Sequence, residues 1–181
     1  MKSNAILAAA LLAALAPLAR AEVVETSANT LKIKQIATVR ATPAKAWQAI
    51  LDIGGWWSGE HTYSGNAANL RLEPRAGGCW CETLPNGGGV EHMHVVYFAP
   101  PVRVTMTGGL GPLQTAGVAG SMTLQVTPKG TGAEIALLYN VGGYDPGGLA
   151  AVAPGVDSVL TEQFARLARL IDSGSAEEKK P

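Results

Sequence analysis

Charge and aromatic rings are both scarce in this 181-residue chain: charged side chains make up 15% of it and aromatic ones 6%. Its 14 basic and 14 acidic groups cancel, which lends no support to nucleic-acid binding, a function that usually needs a basic face. The two cysteines, Cys79 and Cys81, stand far from the N-terminus, so a lipid anchor there has no support. Glycine is plentiful at 22 residues but has no fixed period, which excludes collagen and solenoid arrays. After the first twenty or so residues no run is long and apolar enough for a transmembrane helix. The Gly-rich stretch Gly108 to Gly120 lacks the Lys-Ser/Thr ending of a P-loop and does not open a helix as a dinucleotide-binding loop does. It reads as a cavity lip. No Ser-centred elbow occurs, and His61, beside Glu60, reads as a solvated loop residue.

What is present is apolar: 47% of the chain, enough to exclude disorder and to fill the core of one domain. Lys2, the apolar run Ala5 to Ala16 and the small-x-small triplet Ala19-Arg20-Ala21 form a cleavable export signal. Cleavage is expected after Ala21, leaving a domain over residues 22–172 and a disordered tail over 173–181. The periplasm of a bacterium is the expected location.

Along the mature chain, Leu31 to Arg40 reads as a strand whose alternation slips near Gln35 and Ile36, as at a bulge. Thr42-Pro43 caps a short helix, Ala44 to Leu51. Asp52 to Gly55 stops it, and Trp56-Trp57 follow. Two adjacent Trp cannot share one core face, so one is expected inside and the other at a cavity mouth or at the surface. Period-two patterns then mark strands near Leu70–Leu72, Cys79–Leu84, Val90–Phe98, Val102–Thr107, Val118–Thr127 and Ala133–Val141. Val156, Val159, Leu160, Gln163, Phe164, Leu167, Leu170 and Ile171 recur at helical spacing, predicting a helix over Pro154 to Asp172. The class is α+β: a curved antiparallel sheet of about seven strands around one long C-terminal helix, an arrangement that leaves a hollow between the layers.

The run Thr38-Val39-Arg40-Ala41-Thr42-Pro43-Ala44-Lys45-Ala46-Trp47, the segment Asp52-Ile53-Gly54-Gly55-Trp56-Trp57, and Pro100-Pro101-Val102-Arg103-Val104 together resemble the SRPBCC/START-type helix-grip superfamily. Gly108-Gly109-Leu110-Gly111-Pro112-Leu113-Gln114 and Val156-Asp157-Ser158-Val159-Leu160 are similar to an exported, polyketide cyclase/dehydrase-like branch of it. The resemblance implies the helix-grip fold over Leu31 to Asp172 and hydrophobic-ligand binding. It carries over no catalytic motif. The Rieske-type Cys/His spacing of some enzyme branches is missing here.

The hollow is expected to take a small hydrophobic or amphipathic molecule, lined by Trp56, Trp80, His92, His94, Met106, Leu110, Met122, Tyr139 and Phe164. No cofactor or metal is required, and no stable membrane insertion is expected. A second class is a cyclase- or dehydratase-type enzyme with His92 or His94 as general base. A third uses Cys79-Trp80-Cys81 and Glu91-His92-Met93-His94 as a metal or redox site. With a hairpin loop over Pro85 to Gly89, Leu84 pairs with Val90, Cys81 with Met93 and Cys79 with Val95, while Glu82 faces His92 and Trp80 faces His94. A one-residue slip would set both Cys beside both His, a set suited to Zn²⁺. In an extended strand the two Cα atoms would be about 6.5 Å apart, so a disulfide needs a bulge. Bonded cysteines, free thiols and a metal site all remain open.

Overall fold

The computed structural model describes residues 20–178. The expected leader lies outside them except for its last two residues, and so do residues 179–181. The strands are β1 (Arg20–Thr26), β2 (Thr30–Val39), β3 (Leu70–Leu72), β4 (Cys79–Thr83), β5 (Gly89–Ala99), β6 (Arg103–Thr107), β7 (Gly117–Lys129) and β8 (Gly132–Tyr144). The helices are α1 (Pro43–Leu51), α2 (Ile53–Trp56) and α3 (Leu149–Ser173).

All eight strands form one antiparallel sheet in the order β1-β2-β8-β7-β6-β5-β4-β3. The strands from β3 to β8 follow the chain as a meander, and β2 closes against β8. This is the α+β helix-grip architecture, with one strand more than the seven expected. The addition is β1, which begins at the expected cleavage region and pairs with β2.

The predicted slip in β2 is absent. Leu31, Ile33, Gln35, Ala37 and Val39 alternate inward without a break. Gln35 interrupts the apolar pattern because a polar side chain occupies an inward position. It is fully buried and donates to Asp157 Oδ1 at 3.3 Å and Thr161 Oγ1 at 3.0 Å, both on α3. A polar bond between helix and sheet thus replaces an apolar contact.

Thr42 caps α1 through its side chain, and Pro43 holds the first helical position. The C-terminal helix starts earlier than expected, at Leu149, with Pro154 inside it. Proline there lacks the N–H that the helix ladder uses; upstream of it the start of the helix is fixed by Leu149 N–H on Ala28 O at 2.9 Å and Ala151 N–H on Gly148 O at 3.0 Å. Leu160, Phe164, Leu167 and Ile171 are buried against the sheet, each contributing roughly 1.5–3 kcal/mol. Ser173, in the expected disordered tail, is the last residue of α3, and beyond it the chain turns at Gly174 and brings Ala176 back against the helix. Ala176 is buried, and Arg169 Nε donates to its carbonyl at 2.9 Å.

The β4–β5 register also differs from expectation. The turn closes tightly on Asn86 and Gly87, both in the left-handed region, a conformation Asn-Gly adopts at little cost. Thr83 therefore pairs with Gly89, Glu82 with Val90 and Cys81 with Glu91. A bulge then leaves His92 unpaired, and the ladder resumes with Trp80 opposite Met93 and Cys79 opposite His94.

Candidate ligand-binding cleft

The bulge in β5 decides which side chains meet under α3. It turns both His92 and Met93 to the inner face, so both are buried, while His94 swings outward. Glu82 sits on that inner face with its side chain wholly shielded, and His92 Nε2 lies 2.9 Å from Glu82 Oε2. Glu82 also accepts the backbone N–H groups of Tyr63, at 3.1 Å, and of Ser64. Burial works to raise the Glu82 carboxyl; the hydrogen bonds from Ser64, Tyr63 and His92 outweigh it and hold the group below its ordinary value. An ionised Glu82 has no proton to give, so the proton on this contact belongs to His92 Nε2. That leaves Nδ1 as the nitrogen available to a bound molecule.

Above His92 opens a cleft of about 750 Å³, within the range of small-molecule sites. One wall is the N-terminal half of α3, where Ala151, Val152, Gly155, Val156, Val159 and Leu160 form a stripe of small and apolar side chains. The second wall is Trp57 with the loop Glu60 to Tyr63, and the third is Leu110, Gly111 and Pro112. Three contacts tie the second wall to its surroundings. Trp57 Nε1 donates to His61 O at 2.9 Å, Ser58 N–H to Gln163 Oε1 of α3 at 2.7 Å, and His61 Nε2 meets Glu162 Oε2 at 3.3 Å. The Tyr63 hydroxyl bridges the two loops, reaching Gln114 Oε1 at 2.9 Å and Gly111 O at 3.3 Å. Tyr63 is itself exposed.

Of the nine expected lining residues, His92 and Leu110 line this cleft. Trp56, Trp80, Met106, Met122, Tyr139 and Phe164 face the same interior but are fully packed core behind it. His94 does not reach the cleft, because the bulge reverses its side; it is half-exposed and contacts Glu91. The paired Trp divide in the opposite sense to the expected lining: Trp56 is fully buried in the core, and Trp57, itself 5% exposed, lines the cleft. His61, read as a solvated loop residue, also lines it. The pairing of Glu82 with His92 and the helical spacing of Val156, Val159 and Leu160 are both legible in the sequence, but neither is assigned there to the lining of the hollow. For Glu82 a signal existed, since a carboxylate at an inward strand position beside an inward His marks a buried pair.

Tyr139 shapes the third wall from behind. Its hydroxyl accepts Leu110 N–H at 3.0 Å and donates to Gly108 O at 3.3 Å. Burial pushes the phenol up to about 12, against the opposing Leu110 hydrogen bond. Gly120 makes room for this clamp, since a Cβ there would lie 2.1 Å from Gly108 O and 3.0 Å from the Tyr139 hydroxyl. Tyr139→Phe is expected to cost about 1–3 kcal/mol by stranding the Leu110 N–H. Urea unfolding should show the loss, and amide exchange at Leu110 should quicken.

A family model described as polyketide cyclase / dehydrase and lipid transport matches residues 30–172. Among curated proteins, none matches the chain. Several solved structures share the fold. A protein from Rhodobacter sphaeroides is 21% identical, with 84% of this chain and 97% of that chain covered, at a TM-score of 0.53. A conserved protein of unknown function from Enterococcus faecalis is 13% identical, with 91% and 82% covered, at a TM-score of 0.58. The Aha1 dimer from Colwellia psychrerythraea is 14% identical, with 79% and 97% covered, at a TM-score of 0.56. At these identities the likeness is one of fold.

Proposed function

Since the chain belongs to the polyketide cyclase / dehydrase and lipid transport family, we propose that it holds one small hydrophobic or amphipathic molecule in the cleft under α3, and does so in the periplasm. The observation that carries this reading is the contrast within the cleft: apolar surface from α3, Trp57, Leu110 and Pro112, with polar groups confined to the Glu60–Tyr63 loop on one side and the buried Glu82–His92 pair at the floor. Apolar walls supply affinity through desolvation, and one polar group at the floor fixes orientation. The bound molecule would place its apolar body along Val152, Val156 and Val159 and a hydrogen-bonding group at His92 Nδ1. None of the described helices is long and apolar enough to cross a membrane. The periplasmic part of the proposal rests on Lys2, the Ala5–Ala16 run and Ala19-Arg20-Ala21.

Native against denaturing mass spectrometry on protein recovered from the periplasm tests both parts. The expected result is a chain cleaved after Ala21 that carries the mass of one small organic molecule, released on denaturation. A full-length chain would overturn the export reading. A bare chain that also fails to bind a naphthyl fluorescent probe would overturn the binding reading.

The Glu82–His92 pair favours a second reading, an enzyme of the cyclase or dehydratase type. His92 Nδ1 would take the proton from a carbon beside a ligand carbonyl, and the resulting imidazolium would be stabilised by Glu82, a positioning residue. On this reading the protein speeds deuterium exchange at the α-carbon of an enolisable diketone. His92→Asn should abolish that exchange while probe binding survives. No acceleration by the unmodified protein would leave binding alone.

A further inference from the structure

We propose that the outer face of the β4–β5 hairpin is a redox-gated metal site, closed as a disulfide and, once reduced, holding a Zn²⁺-like cation between Cys79, Cys81, Glu91 and His94. Trp80 and Glu82 face the interior, so Cys79 and Cys81 share the opposite face. They are joined by a disulfide, with Cα atoms 5.4 Å apart. The bulged register places Glu91 directly across from Cys81 and His94 directly across from Cys79. Side chains paired across a ladder lie within reach of each other. The two sulfurs and a Glu91 carboxylate oxygen lie within 4.8 Å of one another. His94 stands outside that set of three, but its Nδ1 lies 3.3 Å from Glu91 Oε1, so a turn of its exposed side chain would bring it in as the fourth ligand.

Two thiolates, an imidazole and a carboxylate form a mixed S₂NO set from four adjacent ladder positions, and a borderline-soft tetrahedral cation takes such a set. The charge also suits the surroundings. Two thiolates and Glu91 around a divalent cation leave one negative charge, and Arg71 stands opposite Cys81 on β3 to offset it. Glu91 is exposed while Cys79 is buried and Cys81 largely shielded, so a reductant and an ion approach from the Glu91 and Cys81 side.

Opening the site takes two electrons and two protons. A dithiol reductant gives them up and becomes a cyclic disulfide, while the Cys79–Cys81 bond breaks to two thiols. Metal binding then releases those two thiol protons to solvent. Disulfide and metal therefore exclude one another.

The test is anaerobic titration of the whole protein with Co²⁺, then displacement by Zn²⁺, before and after reduction with a dithiol. The expected result is one Co²⁺ per reduced chain, with a thiolate-to-cobalt charge-transfer band and tetrahedral ligand-field bands, and neither in the oxidised protein. Glu91→Ala and His94→Ala should each weaken binding by at least roughly 10-fold, and Cys81→Ser should remove the charge-transfer band or weaken binding further. Three results would overturn the proposal: no thiolate band after reduction, unchanged affinity in the Glu91→Ala/His94→Ala double variant, or loss of the sheet's circular dichroism on reduction. The last counts against it because the site needs the β4–β5 ladder intact.

Discussion

Replacing Glu82 with Ala is expected to remove about 3–5 kcal/mol of folding stability, measured as a shift of the urea midpoint at neutral pH. The carboxylate is wholly buried and accepts three donors: the backbone N–H groups of Tyr63 and Ser64 and the imidazole of His92. Alanine would leave all three without this acceptor, the imidazole of buried His92 among them. The loop that forms the second wall of the cleft would lose its anchor as well, so binding should fall together with stability. Glu82→Gln, of similar shape, should lose less, since its carbonyl still accepts while its NH₂ confronts a donor. The same group sets an acid limit. Its folded pKa lies below the unfolded value, so its contribution is fully present above the unfolded pKa. As pH falls through that value toward the folded one, the contribution is lost. Urea midpoints taken through the acid range should decline in the parent protein and decline less in Glu82→Gln.

The second large effect lies on α3. A Cβ built on Gly155 meets nothing within 4 Å, and the position faces the cleft. Gly155→Phe should therefore fold normally and place a ring where the bound molecule lies. Losing ~3 kcal/mol of apolar contact corresponds to at least roughly 100-fold weaker probe binding. Gly155→Ala is the matching control, expected to keep most of the binding and to raise helix stability by about 0.5–1 kcal/mol. Fluorescence titration of both variants, with thermal unfolding beside it, separates the two effects. Undiminished binding in a folded Gly155→Phe protein would move the site elsewhere.

The elements were legible in the sequence because each carries its own period. The inward residues of β2, β7 and β8 and the apolar stripe of α3 follow from spacing alone, and Gln35 misled only because it trades an apolar contact for two hydrogen bonds with α3. The cleft was less legible, for two physical reasons. A period-two pattern says which face a residue joins but not whether neighbours fill the space before it. Trp80, Met106, Met122 and Tyr139 share the expected face yet are sealed in the core. A bulge, moreover, leaves no mark in composition. The extra residue at His92 preserved the Glu82–His92 partnership and reversed His94, although the starting register was off by two. Gly155 gives no positive signal at all, since its contribution is the absence of a side chain.

The Tyr63 crossbar bears on kinetics. The Glu60–Tyr63 loop is held from below by Glu82, and the Leu110–Pro112 loop from behind by Tyr139. The two loops meet across the mouth through the Tyr63 hydroxyl, whose contacts with Gln114 and Gly111 O are exposed. Parting them breaks two solvent-facing hydrogen bonds and loosens the Tyr63 ring from the His92 ring, 5.8 Å away between centroids. Exchange of the occupant can then run at the pace of loop motion, on the order of nanoseconds to microseconds, while the core stays shut. On the binding reading, the Tyr63 crossbar sets how fast a molecule comes and goes, while Glu82 beneath it couples the same loop to folding stability.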